Sequence, residues 1–277
     1  MISGIEFDYD IFSLAFAYKA VPPQNAFRKG KTYYSDIGLN LSGKKWKLET
    51  SYKNYKGFYD INSSNYIPSF SDSTPYYQNH NMRTQNLKAK FIYIKNNKRF
   101  SYNAAYDCYA QQIKSAFSWI FVGNLYYNTM SADTSFIPFP IRNFYSDYSS
   151  FNGLNVIGLS AGVGFSANLV VFHKLFGNIT LAIEPESQWR KYSYSSCAER
   201  YKNYITVAAD SRISFGYNGK KFFFFASFIA DYSNYNSGAM TIANKLFSGA
   251  TTIGYRFRVT KPKFYKRFEE TKIYKLL

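Results

Sequence analysis

Cysteine and histidine are scarce in this chain, with two of each among 277 residues. Cys108 and Cys197 are too few for a disulfide framework, and their spacing matches no metal site. No cofactor and no metal are expected. No uninterrupted run of about 18 apolar residues occurs, which excludes a transmembrane helix. A secretory leader is missing too, because strand-like sequence begins almost directly after Met1. The chain also lacks a Walker loop, a dinucleotide fingerprint and any helix-turn-helix, zinc-finger or RNA-recognition signature. Acidic residues are few: 17 against 34 Lys and Arg, a formal net charge of +17. The basic residues are scattered through turns and polar faces, so no nucleic-acid partner is expected. Attraction to anionic headgroups or lipopolysaccharide phosphates accounts for them better.

What the chain has is aromatic side chains: 28 Tyr and 27 Phe, with a mean hydropathy of −0.33. Many aromatics in a polar average suit strands with one apolar and one polar face. Arg99–Met130 shows the pattern. Phe100, Tyr102, Ala104, Tyr106 and Cys108 alternate with Ser101, Asn103, Ala105, Asp107 and Tyr109. After the polar break at Gln111–Lys114, Phe117, Trp119, Phe121, Leu125 and Tyr127 share one face. Period two over such lengths predicts strands whose two faces meet different solvents.

The pattern recurs throughout. Ile37, Leu39 and Leu41 lead through Ser42–Lys45 into Trp46, Leu48, Thr50 and Tyr52; Ile157 to Leu169 alternates with Gly, Ser and Asn; Asn218-Gly219 predicts a two-residue type I′ hairpin. Counting segments gives an all-β, antiparallel transmembrane β-barrel of about 12 strands, within a range of 10–14, each near ten residues long. Residues 1–260 form one barrel domain and 261–277 a basic, solvated extension. Short turns at Ser42–Lys45, Lys95–Lys98, His173–Gly177 and Asn218–Lys221 should lie at one end, and long loops at Gly57–Asn81 and Ser131–Gly153 at the other.

Beside this pattern stand short motifs: Gly43-Lys44-Lys45-Trp46, Tyr55-Lys56-Gly57-Phe58-Tyr59, Arg99-Phe100-Ser101-Tyr102 with Ala104-Ala105, and Gln112 with Lys114-Ser115-Ala116 and Ser118. They continue through Asp133 and Ile137-Pro138 to Gly254-Tyr255-Arg256-Phe257. In these the chain resembles a family of Bacteroidota outer-membrane β-barrels known only as a domain of unknown function. The resemblance implies an exported barrel in the outer membrane of a Gram-negative bacterium, and it brings no catalytic residues. Phe117 replaces a Gly of the family's Ser-Ala-Gly-Ser run. Family members also begin with a signal peptide and a further strand, so an N-terminal piece is expected to be missing here.

The candidate chemistry is a polar network inside the barrel: Asp107, Glu184, Glu186, Arg190, Asp210, Arg212, Arg256 and Arg258. Carboxylates facing Arg in a barrel fill or line its interior as ion pairs. Pro185, between the two glutamates, predicts a bulge or an edge because proline lacks a ladder donor. Bulky inward residues (Tyr109, Phe223, Phe225) predict a small or occluded interior. The function expected is a non-enzymatic outer-membrane barrel, either a narrow pore or a structural subunit of a complex. Its partners would be outer-membrane lipid or lipopolysaccharide and other outer-membrane or periplasmic proteins. The alternative is a barrel enzyme, a lipid deacylase, phospholipase or omptin-like protease, with its site in the extracellular loops. There His80 lies near Asp60, Asp72, Ser71 and Ser73, while His173 sits in a tight turn.

One count does not close. Between the turn at Lys98 and the loop at Ser131 the chain must cross an odd number of times, yet two strands are predicted. Either Gln111, Gln112 and Lys114 form a kink turned into the interior, plugging or lining it within one crossing, or one long loop lies at the other end.

Overall fold

The computed structural model describes residues 2–19, 26–107, 110–237, 240–256, 263–271 and 274. Its first strands are short: β1 (Ile2–Tyr9), β2 (Phe12–Lys19) and, after a single helical turn α1 (Ala26–Lys29), β3 (Tyr33–Ser42). β4 (Trp46–Tyr59), β5 (Gln78–Ile94) and β6 (Ala116–Ser131) are longer. The longest are β7 (Phe151–Val171), β8 (Leu175–Tyr194) and β9 (Arg200–Asn218), followed by β10 (Phe222–Ser237) and β11 (Met240–Tyr255). All eleven form one antiparallel sheet in sequence order. Among the described residues no pairing joins β1 to β11. The sheet nevertheless curls on itself, since Glu49 on β4 reaches Arg212 on β9 and Lys88 on β5 reaches Asp231 on β10.

The fold is therefore all-β and barrel-like, with β4 to β11 longer than the ten residues expected. β7 has 21 residues, roughly 70 Å when extended. A three-residue turn holds it to β8 from Val171↔Leu175 up to Phe151↔Tyr194. Phe172 and His173 take left-handed φ values of 50° and 59° to make that turn. The type I′ turn at Asn218-Gly219 does not form. Neither residue takes a left-handed φ, and β10 begins only at Phe222. Asn218 instead donates from its amide to Ala110 O at 3.1 Å, which fixes it to the interior.

Pro185 causes neither a bulge nor an edge. β7–β8 pairing runs Ser160↔Glu186 and resumes at Val163↔Ile183 in the same register, so two pairs drop out without a shift. The Pro185↔Val207 pair with β9 is kept, so the missing N–H faces β7. Gly162 tolerates the gap, because a Cβ there would run into the Ile183 carbonyl.

The eleven strands account for every predicted segment except Phe100–Cys108. That segment is not a strand. Between β5 and β6 the chain turns at Asn96–Arg99, forms a single helical turn α2 (Asn103–Tyr106) and fills the short-turn end of the barrel. Phe100, Tyr102, Ala104 and Ala105 are all but fully buried. Phe100 and Tyr102 pack with Ile92, Ile94, Ile120, Val122 and Ala182 from β5, β6 and β8. One strand between Lys98 and Ser131 restores the odd number of crossings. The excursion is the Phe100–Asp107 segment; Gln111 and Lys114 are exposed at the rim. Gln112 braces the segment by accepting from Ser101 N at 2.7 Å and donating to Arg99 O at 2.7 Å. Cys108 and Tyr109 lie outside the described residues, and Cys197 is a free, exposed thiol.

The C-terminal extension returns to the barrel and is not simply solvated. Tyr265, on the helix α3 (Lys263–Glu269), is buried and donates to Asp10 Oδ2 at 2.7 Å; Tyr274 donates to the same oxygen at 2.6 Å. Burial and the bonded Asp10 carboxylate push both phenols above their ordinary range.

If the Phe100–Asp107 segment is core, Phe100→Ala should lower stability by about 3–5 kcal/mol, the cost of emptying a buried aromatic site. Equilibrium urea unfolding of purified protein checks this. The exposed Ile113→Ala should move the midpoint little.

Candidate functional site in the barrel interior

Side chains alternate in and out of the sheet, so the residues that share a row inside the barrel can be read from register. The inner face of β7 runs Gly158, Ser160, Gly162, Gly164, Ser166 and Asn168. These are small, and larger side chains from β6 and β8 lie across them. Tyr126 occupies the space over Gly158 that a Cβ would need.

Two polar layers result. The lower one, just above α2, is a chain of ions. Lys47 meets Asp107 at 2.5 Å and Glu49 at 3.6 Å. Arg212 grips Glu49 with two bonds of 2.7 Å and lies 3.3 Å from Asp210. Lys90 pairs with Asp210, and Lys88 with Asp231 at 2.9 Å. Higher up, Lys53 stands 3.7 Å from Asp36. Each of these five cations therefore has a carboxylate that can be assigned to it alone: Asp107, Glu49, Asp210, Asp231 and Asp36. A two-pronged guanidinium–carboxylate contact is the strongest of these geometries.

On the opposite wall, Glu184 accepts from Ser160 Oγ at 2.7 Å and from the Asn124 amide. Tyr126 and Gln188 both donate to Glu186 Oε1. Arg190 donates to Gln188 Oε1 at 2.8 Å through Nε, and its guanidinium stacks 3.9 Å from the Tyr204 ring. A cavity of about 680 Å³ separates the walls, lined by Glu49, Lys90, Asn124, Glu184, Asp210 and Arg212 among others.

Of the residues singled out in the sequence, Asp107, Asp210 and Arg212 meet in the ionic layer. Glu184, Glu186 and Arg190 stand together across the cavity. Arg256 is elsewhere: it caps the β9–β10 turn, donating to Asn218 Oδ1 at 2.6 Å and to the Gly219 carbonyl. Arg258 lies outside the described residues. Sequence reasoning left out Lys47, Glu49, Lys88, Lys90 and Asp231. The partners of Glu49, Lys88 and Lys90 stand on strands four or five places away, and only the curl of the sheet brings them together, while Lys47 meets Asp107 of the inserted segment.

Below the ions, Tyr106 donates to Asn178 Oδ1 at 2.5 Å, Asn168 donates to Ser101 O at 2.9 Å, and Asn103 donates to Gly43 O at 3.0 Å. The inserted segment is thus tied to the β3–β4 turn, β7, β8 and β9, and the short-turn end is closed. At the long-loop end Phe136 meets Phe151 edge-on at 5.0 Å, over Leu154, Val156 and Tyr192.

The two histidines have no such setting. His80 is exposed on β5, and among the described residues it makes no hydrogen bond or ion pair. Asp60 caps the turn Ile61–Asn65 and accepts from Tyr66, and Asp72 stands 3.5 Å from Arg28. Burial pushes the Tyr66 phenol up to about 12, with the Asp60 bond in support. Nine exposed Lys and Arg residues, scattered in sequence, gather in space. Lys44, Lys45, Lys95, Lys98, Arg99, Lys114, Lys174, Lys220 and Lys221 all ring the closed end.

Arg212 is 4% exposed, so removing its charge strands a carboxylate. Arg212→Met should cost about 3–5 kcal/mol, and Arg212→Met with Glu49→Leu should cost clearly less than the sum of the single changes. A double-mutant cycle of urea midpoints reads this directly. No curated protein matches the chain. A family model described as Domain of unknown function (DUF4421) matches residues 1–257. With a barrel-like sheet of inward charge and a match over nearly its whole length, the chain belongs to the DUF4421 family.

Proposed function

We propose that this protein is an outer-membrane β-barrel of a Gram-negative bacterium that serves as a non-conducting structural subunit of a membrane complex. The observation that carries the reading is the inversion of its two faces. Trp119, Phe121, Leu159, Val163, Leu181, Ile205 and Ile213 point outward and are exposed, while Lys90, Glu184, Arg190 and Arg212 are buried inside. Exposed apolar patches of more than a few hundred Å² are rare on soluble monomers, and here they cover the outer face of consecutive strands. The resemblance to Bacteroidota barrels supports the same location. The ring of lysines at the closed end suits anionic headgroups of the facing leaflet, and that end, with its short turns, is the periplasmic one. Two observations weigh against a pore or an enzyme: the inserted segment fills the short-turn end of the interior, and among the described residues neither histidine is paired with a carboxylate.

Two experiments test this. The purified barrel added to planar bilayers should give no discrete channel events; steady unitary currents would overturn the closed reading. Val163, 56% exposed, discriminates the membrane. On a soluble surface Val163→Arg would shift stability by about 0.5 kcal/mol or less. In a bilayer midplane it should cost about 2–4 kcal/mol, seen as a loss of the folded barrel from the membrane fraction.

A further inference from the structure

We propose that the interior holds a hard divalent cation, of the Ca²⁺ type, on the wall formed by Asn124, Ser160, Glu184 and Glu186. Lys47, Lys53, Lys88, Lys90 and Arg212 each have their own carboxylate, and this holds for Lys90 although it is the cross-strand neighbour of Asn124. Glu184 has none of these. It is buried, both of its hydrogen-bond donors are neutral, and among the described residues no Lys or Arg nitrogen lies within ion-pair distance. A buried carboxylate without a counter-charge is costly, so a mobile cation from the cavity is the natural partner.

A second, independent observation points to the same place. Asn124 is 7% exposed. Its amide nitrogen donates to Glu184 and to Ser160 Oγ at 3.2 Å, but its carbonyl oxygen Oδ1 is buried with no hydrogen-bond donor. An orphaned carbonyl beside a carboxylate with no cationic partner is a pair of oxygens that one metal ion satisfies together. Register sets the donors side by side. Asn124 pairs with Ser160, and Ser160 with Glu186, so the three form one row across β6, β7 and β8. Glu184 is two residues along β8 on the same face, its Cα roughly 7 Å from that of Glu186. The backbone of β8 closes tightly on Gly162, where a Cβ would meet Ile183 O and Glu184 Cα, so β7 and β8 are held close beside Glu184.

The donor set contains only oxygen: two carboxylates, an amide carbonyl and a hydroxyl. Oxygen-only sites select hard cations, and Ca²⁺, which takes six to eight oxygens at about 2.3–2.6 Å, would complete its shell with water from the cavity. The ion would neutralise Glu184 and cross-link β6, β7 and β8 at the level where Pro185 removes two ladder pairs. A cation there replaces the strand-to-strand contact that the proline gives up.

The test is calorimetric titration of CaCl₂ into the purified, folded, EDTA-treated full chain, with thermal unfolding in parallel. One Ca²⁺ should bind per chain and raise the unfolding midpoint. Glu184→Gln and Asn124→Ala should each weaken binding at least tenfold and abolish the shift. Ser51→Ala, which alters the cavity wall away from the site, should leave both unchanged. Absence of binding to the wild-type chain overturns the proposal, as does equal affinity in the Asn124→Ala chain. Should Glu184→Gln fail to fold, the wild-type and Asn124→Ala titrations decide alone.

Discussion

The constraint on which everything else rests is that the inward side chains of β4 to β10 must find their partners inside the barrel. The outward face of each strand is apolar, so polar groups are confined to the interior, where an unpaired ion is expensive. The sheet meets this by curling until Glu49 and Arg212, Lys90 and Asp210, and Lys88 and Asp231 come within reach. Curvature and charge pairing are thus one arrangement. Loss of the pairs would leave the closed end without a reason to hold its shape.

The inserted segment between β5 and β6 completes this arrangement from below. A curled sheet with short turns has an open floor, and its backbone groups at the turns would face water. Phe100 and Tyr102 fill the floor with apolar bulk, while Asp107 supplies the carboxylate that Lys47 needs. Bonds made by Asn103, Tyr106, Asn168 and Asn218 then tie the segment to the β3–β4 turn, β8, β7 and β9. The tail helix adds a latch at the same end through Tyr265 and Asp10.

Much of this was legible in the residues. Period two located all eleven strands, the short and long connections, and the inward face of β7, β8 and β9, because alternation follows directly from the pleat. It failed at Phe100–Cys108, where the same alternation came from a bent segment packing both ways inside a cavity. The signal that something was amiss was topological: two crossings where the loops demanded one. Asn218-Gly219 misled for a different reason, since local turn preference gave way to the bonds Asn218 makes with the inserted segment. Lys47, Glu49 and Lys90 did not stand out as site residues, because ion pairs across a barrel have no signature along the chain.

The central claim is that the outer face meets lipid and the inner face does not. Nitroxide labels introduced singly at Val163, Leu181, Ser166 and Asn178, in a chain with both native cysteines replaced, measure it most directly. In reconstituted vesicles, oxygen accessibility should be high at 163 and 181 and low at 166 and 178. Equal, water-like accessibility at all four positions would contradict the account.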